Sequence, residues 1–280
     1  MKDVRLIGSY WTLAGKAYPH DKEDSPFDFA DRVSEAARAG FKGLGLWHTD
    51  IEKILKTYSL QDMKKILDDH GMFVELEFLT DFFYHDERRV WSDQMRKLLL
   101  DCAEALDAPH IKAGDFAGAP CPMPQMIDEF GKLCEDAKQR GTRVLYEFIP
   151  FSVVNTLEKA RQLVEGAAAD NGGVIVDLWH VVSIGITYDQ LATFPAKYIL
   201  GVELNDGPLK MPEDWRDETI NHRRLCGEGE FDIQGFLKCL DGLGYDGPFG
   251  VEVLSSELRE LPLRECCEKV YATTMAQFEG

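Results

Sequence analysis

Short apolar runs alternate with longer amphipathic stretches from one end of this chain to the other. The apolar runs are Val4–Gly8, Gly43–Trp47, Phe73–Leu79, His110–Ala113, Val144–Phe148, Val174–Leu178, Tyr198–Leu204 and Phe249–Val253, and their length and composition predict strands. The stretches between them predict helices over Pro26–Ala39, Leu60–Asp69, Arg88–Leu106, Met123–Gln139, Thr156–Glu165, Tyr188–Phe194, Asp232–Leu243 and Leu263–Phe278. Ser25-Pro26 puts a capping hydroxyl before a first-turn proline, and Ser59 precedes Leu60 in the same way. Gly40, Gly71, Gly141 and Gly244 stand where a left-handed residue closes a helix.

Strands that alternate with helices imply parallel strands joined by crossovers. Eight such units favour a closed (β/α)8 TIM barrel over an open doubly wound sheet, and the Gly8-Ser-Tyr-Trp that follows the first strand lacks the GxGxxG of a dinucleotide site. No linker or low-complexity stretch interrupts the alternation, so residues 1–280 read as a single TIM-barrel domain. Two connections are long: Asp81–Glu87 after the third strand, and Asp206–Glu230 after the seventh, which carries Trp215, His222, Arg223 and Arg224 and is the better lid candidate.

Composition narrows the function. A hydrophobic content of 45% supports a sizeable core, while a net charge of −18 repels phosphate backbones and anionic lipid surfaces. Neither nucleic acid nor a membrane is an expected partner. The opening residues lack the apolar stretch of a signal peptide, and seven cysteines with no CxxC pair read as reduced thiols, so the expected location is the cytoplasm.

The chemistry gathers in the second half. Glu147, Asp177, Glu203 and Glu252 each stand where an apolar run meets a loop, on strands five to eight. In a barrel those strand ends converge on one face, and like charges cannot share a buried mouth without a counter-charge. An all-oxygen set suits a hard divalent ion, Mn²⁺ or Mg²⁺, ahead of Zn²⁺ or Co²⁺. His180 follows Asp177 in an Asp-x-x-His spacing that sets an imidazole beside the ion. Trp47 and Trp179 could wall a sugar ring or simply pack in the core. His48 and His110 could touch substrate or be satisfied polar residues. Lys112 could touch substrate or pair with Glu77 between strands.

Tyr146-Glu147-Phe148, Asp177-Leu-Trp-His180, Val202-Glu-Leu-Asn-Asp206, Arg223-Arg-Leu-Cys-Gly-Glu-Gly229 and Tyr245-Asp-Gly-Pro-Phe-Gly-Val-Glu252 together resemble the sugar phosphate isomerase/epimerase family, the xylose isomerase-like barrels. The resemblance spans nearly the whole chain. It implies one divalent ion held by Glu147, Asp177, Glu203 and Glu252, with Glu203 standing where many relatives carry a neutral ligand and Asn205 as the substitute. It further implies that His180 and Arg223 contact substrate oxygens, Arg224 being the alternative arginine. The implied reaction is isomerisation or epimerisation of a keto-sugar or related polyol, with Glu147 and Glu252 moving the proton. A lyase of the same family is the alternative, dehydrating a keto-cyclitol or dehydroshikimate or eliminating an aglycone from a 3-keto-glycoside. A homo-oligomer is expected by analogy with relatives. A repair nuclease on this barrel would need a basic track that the chain lacks, and a non-catalytic subunit would hold metal without turnover.

Overall fold

In a computed structural model, which describes residues 3–210 and 212–279, eight parallel strands close into one barrel in chain order. They are β1 (Leu6–Gly8), β2 (Gly43–Trp47), β3 (Phe73–Leu79), β4 (His110–Ala113), β5 (Arg143–Glu147), β6 (Gly172–Asp177), β7 (Ile199–Leu204) and β8 (Phe249–Val251). Closure occurs at β1, where Ile7 pairs with Gly43 of β2 on one side and Gly250 of β8 on the other.

The long helices form the outer ring and bury one apolar face each against the strands. Val33, Leu99, Phe130 and Leu163 are fully buried there, beside strand residues such as Val74, Val144 and Val202. The first of these helices starts at Phe29 rather than Pro26, because the Asp28 side chain accepts from the Ala30 amide and sets the cap. Ser59 and Asp62 form a reciprocal capping box, so that helix begins at Leu60 as its sequence predicts. Short helices at the strand ends, Tyr10–Leu13, His48–Ile54, Leu178–Ile184, Trp215–Asn221 and Ser256–Glu260, are too brief to show a period and were not foreseen. All seven cysteines are free thiols. No helix among the described residues is long and apolar enough to cross a membrane.

The inside of the barrel departs from the usual branched apolar filling. Glu75, Glu77, His110 and Lys112 are buried on β3 and β4, and two glycines make room for acids on neighbouring strands. A Cβ on Gly45 would sit 2.1 Å from Glu77 Oε1, and one on Gly250 would sit 2.7 Å from Glu203 Cγ. The polar interior is therefore built into the strand sequences.

Candidate metal centre

Alternation along a strand turns every second side chain inward, and the last inward position of each strand opens on the mouth. Glu147, Asp177 and Glu203 occupy these positions on β5, β6 and β7, and Glu252 follows directly on β8. One oxygen from each of the four carboxylates lies within 4.8 Å of the others, and all four residues are buried. An overlapping set of Glu147, Asp177 and the His180 ring meets the same limit.

The cations present do not neutralise this group one for one. Arg223 Nη1 donates to Asp177 Oδ2 at 3.0 Å and to Glu252 Oε2 at 2.9 Å, so a single guanidinium serves two acids. Lys112 donates to Glu203 and also lies 3.4 Å from Glu75 and 3.7 Å from Glu77. His180 Nε2 sits 2.9 Å from Glu147 Oε1. Six buried carboxylates thus share two permanent cations. Burial raises the Glu252 carboxyl to about 7, with Glu147 adding to the push and Arg223 opposing it. Burial and the nearby Glu252 hold Glu203 well above its ordinary value. On Lys112, burial works against the charge, but Glu203, Glu75 and Glu77 together keep the ammonium well above its ordinary value.

Two further features make the residues fit a cation. Glu203 Oε2 and Asn205 Oδ1 are buried acceptors without a hydrogen-bond partner among the described residues. Unmatched buried acceptors cost free energy, and a bound positive ion would offset that cost. The donor chemistry is hard oxygen throughout, apart from the His180 nitrogen. Asn205 Nδ2 donates to Asp177 Oδ1 at 2.6 Å, which leaves its Oδ1 free to serve as the substitute ligand, and Glu203 belongs to the four-acid cluster.

Above the acids lies a cleft. Glu147 and Glu252 reach its floor beside His180 and Arg223, while Asp177 and Glu203 stay underneath. The walls are aromatic: Trp11, Trp47, Phe78, Phe116 and Phe151. The helix Trp215–Asn221, from the long connection after β7, contributes Thr219 and Ile220 to the rim. That connection is anchored, since Asp206 pairs with Arg224 through the backbone and its carboxylate accepts from the Gly227 and Phe231 amides. Arg223 points inward and Arg224 outward to solvent.

The remaining sequence candidates divide by depth. Trp47 lines the cleft, with its Nε1 donating to Glu23 Oε2 at 3.1 Å. Trp179 does not line it; the indole lies under the Arg223 guanidinium at 5.1 Å and donates to Thr219 Oγ1. His110 and Lys112 lie below the cleft inside the barrel, His110 2.9 Å from Glu75 Oε2, so the paired reading of both describes their surroundings. Lys112 is nearer to Glu203 and Glu75 than to Glu77. His48 sits behind Trp47 against Trp91, and burial lowers its imidazolium to about 4, leaving a neutral ring at physiological pH. Sequence reasoning passed over Ser9, whose Oγ donates to Glu203 Oε1 at 2.8 Å, and the wall residues Trp11, Phe78, Phe116 and Phe151. Ser9 follows β1 directly, so its strand-end position was the available signal; the wall aromatics on loops carried none.

Comparison with known proteins agrees with this architecture. The family model described as xylose isomerase-like TIM barrel matches residues 33–270. The 3-dehydroshikimate dehydratase of Pseudomonas aeruginosa is 28% identical over 242 residues, which cover 84% of this chain and 37% of that protein. The chain therefore spans little more than a third of that relative's length. The inosose isomerase of Halalkalibacterium halodurans is 25% identical over 238 residues, covering 80% of this chain and 82% of the relative. A solved structure of the IolI protein with a bound zinc atom superposes with a TM-score of 0.86 at 20% identity, covering 98% of each chain. The named relatives are enzymes, and this chain belongs to the xylose isomerase-like TIM barrel family.

Proposed function

We propose that this chain is a divalent-metal-dependent isomerase or epimerase of a keto-sugar or related cyclitol. The observation that supports it most is the layering of the acid cluster: Glu147 and Glu252 open on the cleft floor while Asp177 and Glu203 lie beneath them. Glu147, Asp177, Glu203 and Glu252 would hold the ion, Mn²⁺ or Mg²⁺ by their oxygen chemistry. The mixed set with His180, and the zinc in the IolI structure, keep Zn²⁺ as the alternative. When bound, the ion would supply Lewis-acid stabilisation of negative charge on substrate oxygens.

The chain's own residues supply the proton transfers. Glu147 Oε1 lies against His180 and Glu252 Oε2 accepts from Arg223; each carboxylate would hold the ion with one oxygen and keep the other for proton transfer. One takes the proton from the carbon beside the ketone, and the other returns a proton to the opposite face, inverting that carbon. Returned instead to the former carbonyl carbon, while the neighbouring hydroxyl passes its proton to the former carbonyl oxygen, the proton moves the ketone one carbon along. His180 and Arg223 orient the substrate oxygens, and the aromatic walls pack its C–H faces and keep water away. Residues His48, His110, Lys112 and Trp179 act at one remove, by packing or by fixing charge around these groups.

The similarity to a dehydratase supports a second reading, a lyase in which the same proton abstraction expels a β-substituent. Incubation of ketoses and keto-cyclitols with the enzyme and Mn²⁺ in D₂O tests both. Solvent deuterium at the carbon beside the ketone supports the isomerase, and an absorbing enone supports the lyase. Exchange that persists undiminished in both Glu147→Gln and Glu252→Gln would remove these residues from the chemistry.

A further inference from the structure

One carboxylate on the cleft wall takes no part in the acid cluster. Glu23 lies on the connection between β1 and the helix Phe29–Ala39, is half-buried, and lines the cleft beside Trp47. Its backbone carbonyl accepts from Tyr10 Oη at 2.5 Å. The next two residues are tied to the helix His48–Ile54: Lys53 Nζ donates to Asp24 Oδ2 at 2.7 Å, and the Ser25 amide donates to Asp50 Oδ1 at 3.0 Å. The carboxylate itself is also held. Oε2 accepts from Trp47 Nε1 at 3.1 Å and from Thr49 Oγ1 at 3.3 Å, and Oε1 accepts from the His20 amide at 3.2 Å. An ionised carboxylate has about four acceptor positions, so Oε1 keeps one open.

An indole N–H donates in the plane of its ring, so this carboxylate stands at the edge of the Trp47 ring that lines the cleft. A polyol ring laid on an indole buries its C–H face there and turns its hydroxyls toward the ring's edge. An acceptor at that edge meets those hydroxyls as donors. Charge points the same way. Arg223 is the one lysine or arginine of the cleft lining among the described residues, and its guanidinium already serves Asp177 and Glu252. At the Glu23 end, an anionic group would meet a like charge and no guanidinium or ammonium from the lining, an arrangement that selects by repulsion.

From this placement we infer that Glu23 is a substrate-binding residue that accepts a ring hydroxyl at Oε1, and that its charge excludes substrates carrying a carboxylate or phosphate away from the ketone. The inference rests on the proposed function for the reacting end of the substrate and adds the selection made at the other end. It counts against dehydroshikimate, a ring acid, as the substrate of the lyase reading. Quinate and its primary amide share one cyclitol ring and one set of hydroxyls, differ in charge, and lack the ketone needed for reaction. Titration calorimetry on the Mn²⁺-supplemented protein should show the amide binding at least about tenfold tighter than the acid. In Glu23→Gln, which keeps the side-chain size, that ratio should fall at least about fivefold. Glu23→Ala removes the acceptor and should weaken the amide itself at least about fivefold. Thr49→Val removes one donor to the carboxylate but not its charge, and should leave the ratio within about twofold of native. Equal affinity for acid and amide, binding of neither, a ratio that survives Glu23→Gln, full amide affinity in Glu23→Ala, or a ratio lost equally in Thr49→Val overturns the assignment. Mn²⁺ stoichiometry in the same samples separates the two claims. Normal ion binding without discrimination by charge removes only the role of Glu23, whereas discrimination without ion binding removes the function it extends.

Discussion

Lys112 is the single ammonium inside the barrel among the described residues, and its removal offers a worked test of the charge arrangement. It is fully buried, donates to Glu203, and lies 3.4 Å from Glu75 and 3.7 Å from Glu77. At an effective dielectric constant of about 20, a unit pair at such distances is worth about 5 kcal/mol. Lys112→Met keeps most of the side-chain volume but leaves three carboxylates without that partner. They can recover part of the loss only by taking up a proton, at about 1.4 kcal/mol per pH unit above the ordinary glutamate value. Breaking a buried pair from one side costs about 3–5 kcal/mol. With an unfolding entropy of about 2.1 cal/mol/K per residue, that loss lowers the Tm of a chain this long by about 5–8 °C. The sign of the pH effect follows. The orphaned carboxyls have raised folded-state pKa values, so the variant gains stability relative to the native chain as pH falls. Scanning calorimetry of both proteins in chelator at pH 7.5 and pH 5.5 should show a large gap that narrows at the lower pH. A Tm within 1 °C of native at pH 7.5, or a gap that widens on acidification, would refute the charge arrangement.

Other expectations bear on separate parts of the molecule. Gly250→Ala drives a Cβ to 2.7 Å from Glu203 Cγ, and should cost about 1–3 kcal/mol in urea unfolding, with weakened ion binding. Asp177→Asn removes a carboxylate shared by Arg223 and the cluster, and should lower divalent-ion affinity at least tenfold by titration calorimetry while the circular dichroism spectrum stays native. Glu129 is buried on the outer ring; burial opposes its charge, but Lys132, Arg89 and His85 hold its carboxyl down to about 2. The native chain's stability advantage over Glu129→Gln should therefore be complete above the ordinary glutamate value and fade as pH falls toward 2, as read from acid unfolding curves.

The barrel was legible because its physics is local. Each strand is a short apolar run, and caps such as Ser59 mark where helices begin. The acids at the mouth were legible for a related reason: an acid that ends an apolar strand is conspicuous, and closure places all such ends together. Glu147, Asp177 and Glu203 follow that logic, and Glu252 needs only one more residue of extension beyond Val251. What sequence could not reveal depended on direction and depth. Nothing in the run His110-Ile-Lys112 shows that Lys112 turns across the barrel to Glu203, a strand 91 residues away. Trp47 and Trp179 look alike at strand ends, yet one walls the cleft and the other lies beneath Arg223. Phe116 and Phe151 come from loops whose path is fixed by tertiary packing, and they meet only because β4 and β5 are neighbours.

Equilibrium binding of a divalent ion to chelator-stripped protein tests the central claim most directly. Titration calorimetry with Mn²⁺ should give one ion per chain, with binding lost in the Glu147→Gln, Asp177→Asn double variant. No binding by the native protein, or full binding by that variant, would contradict the account.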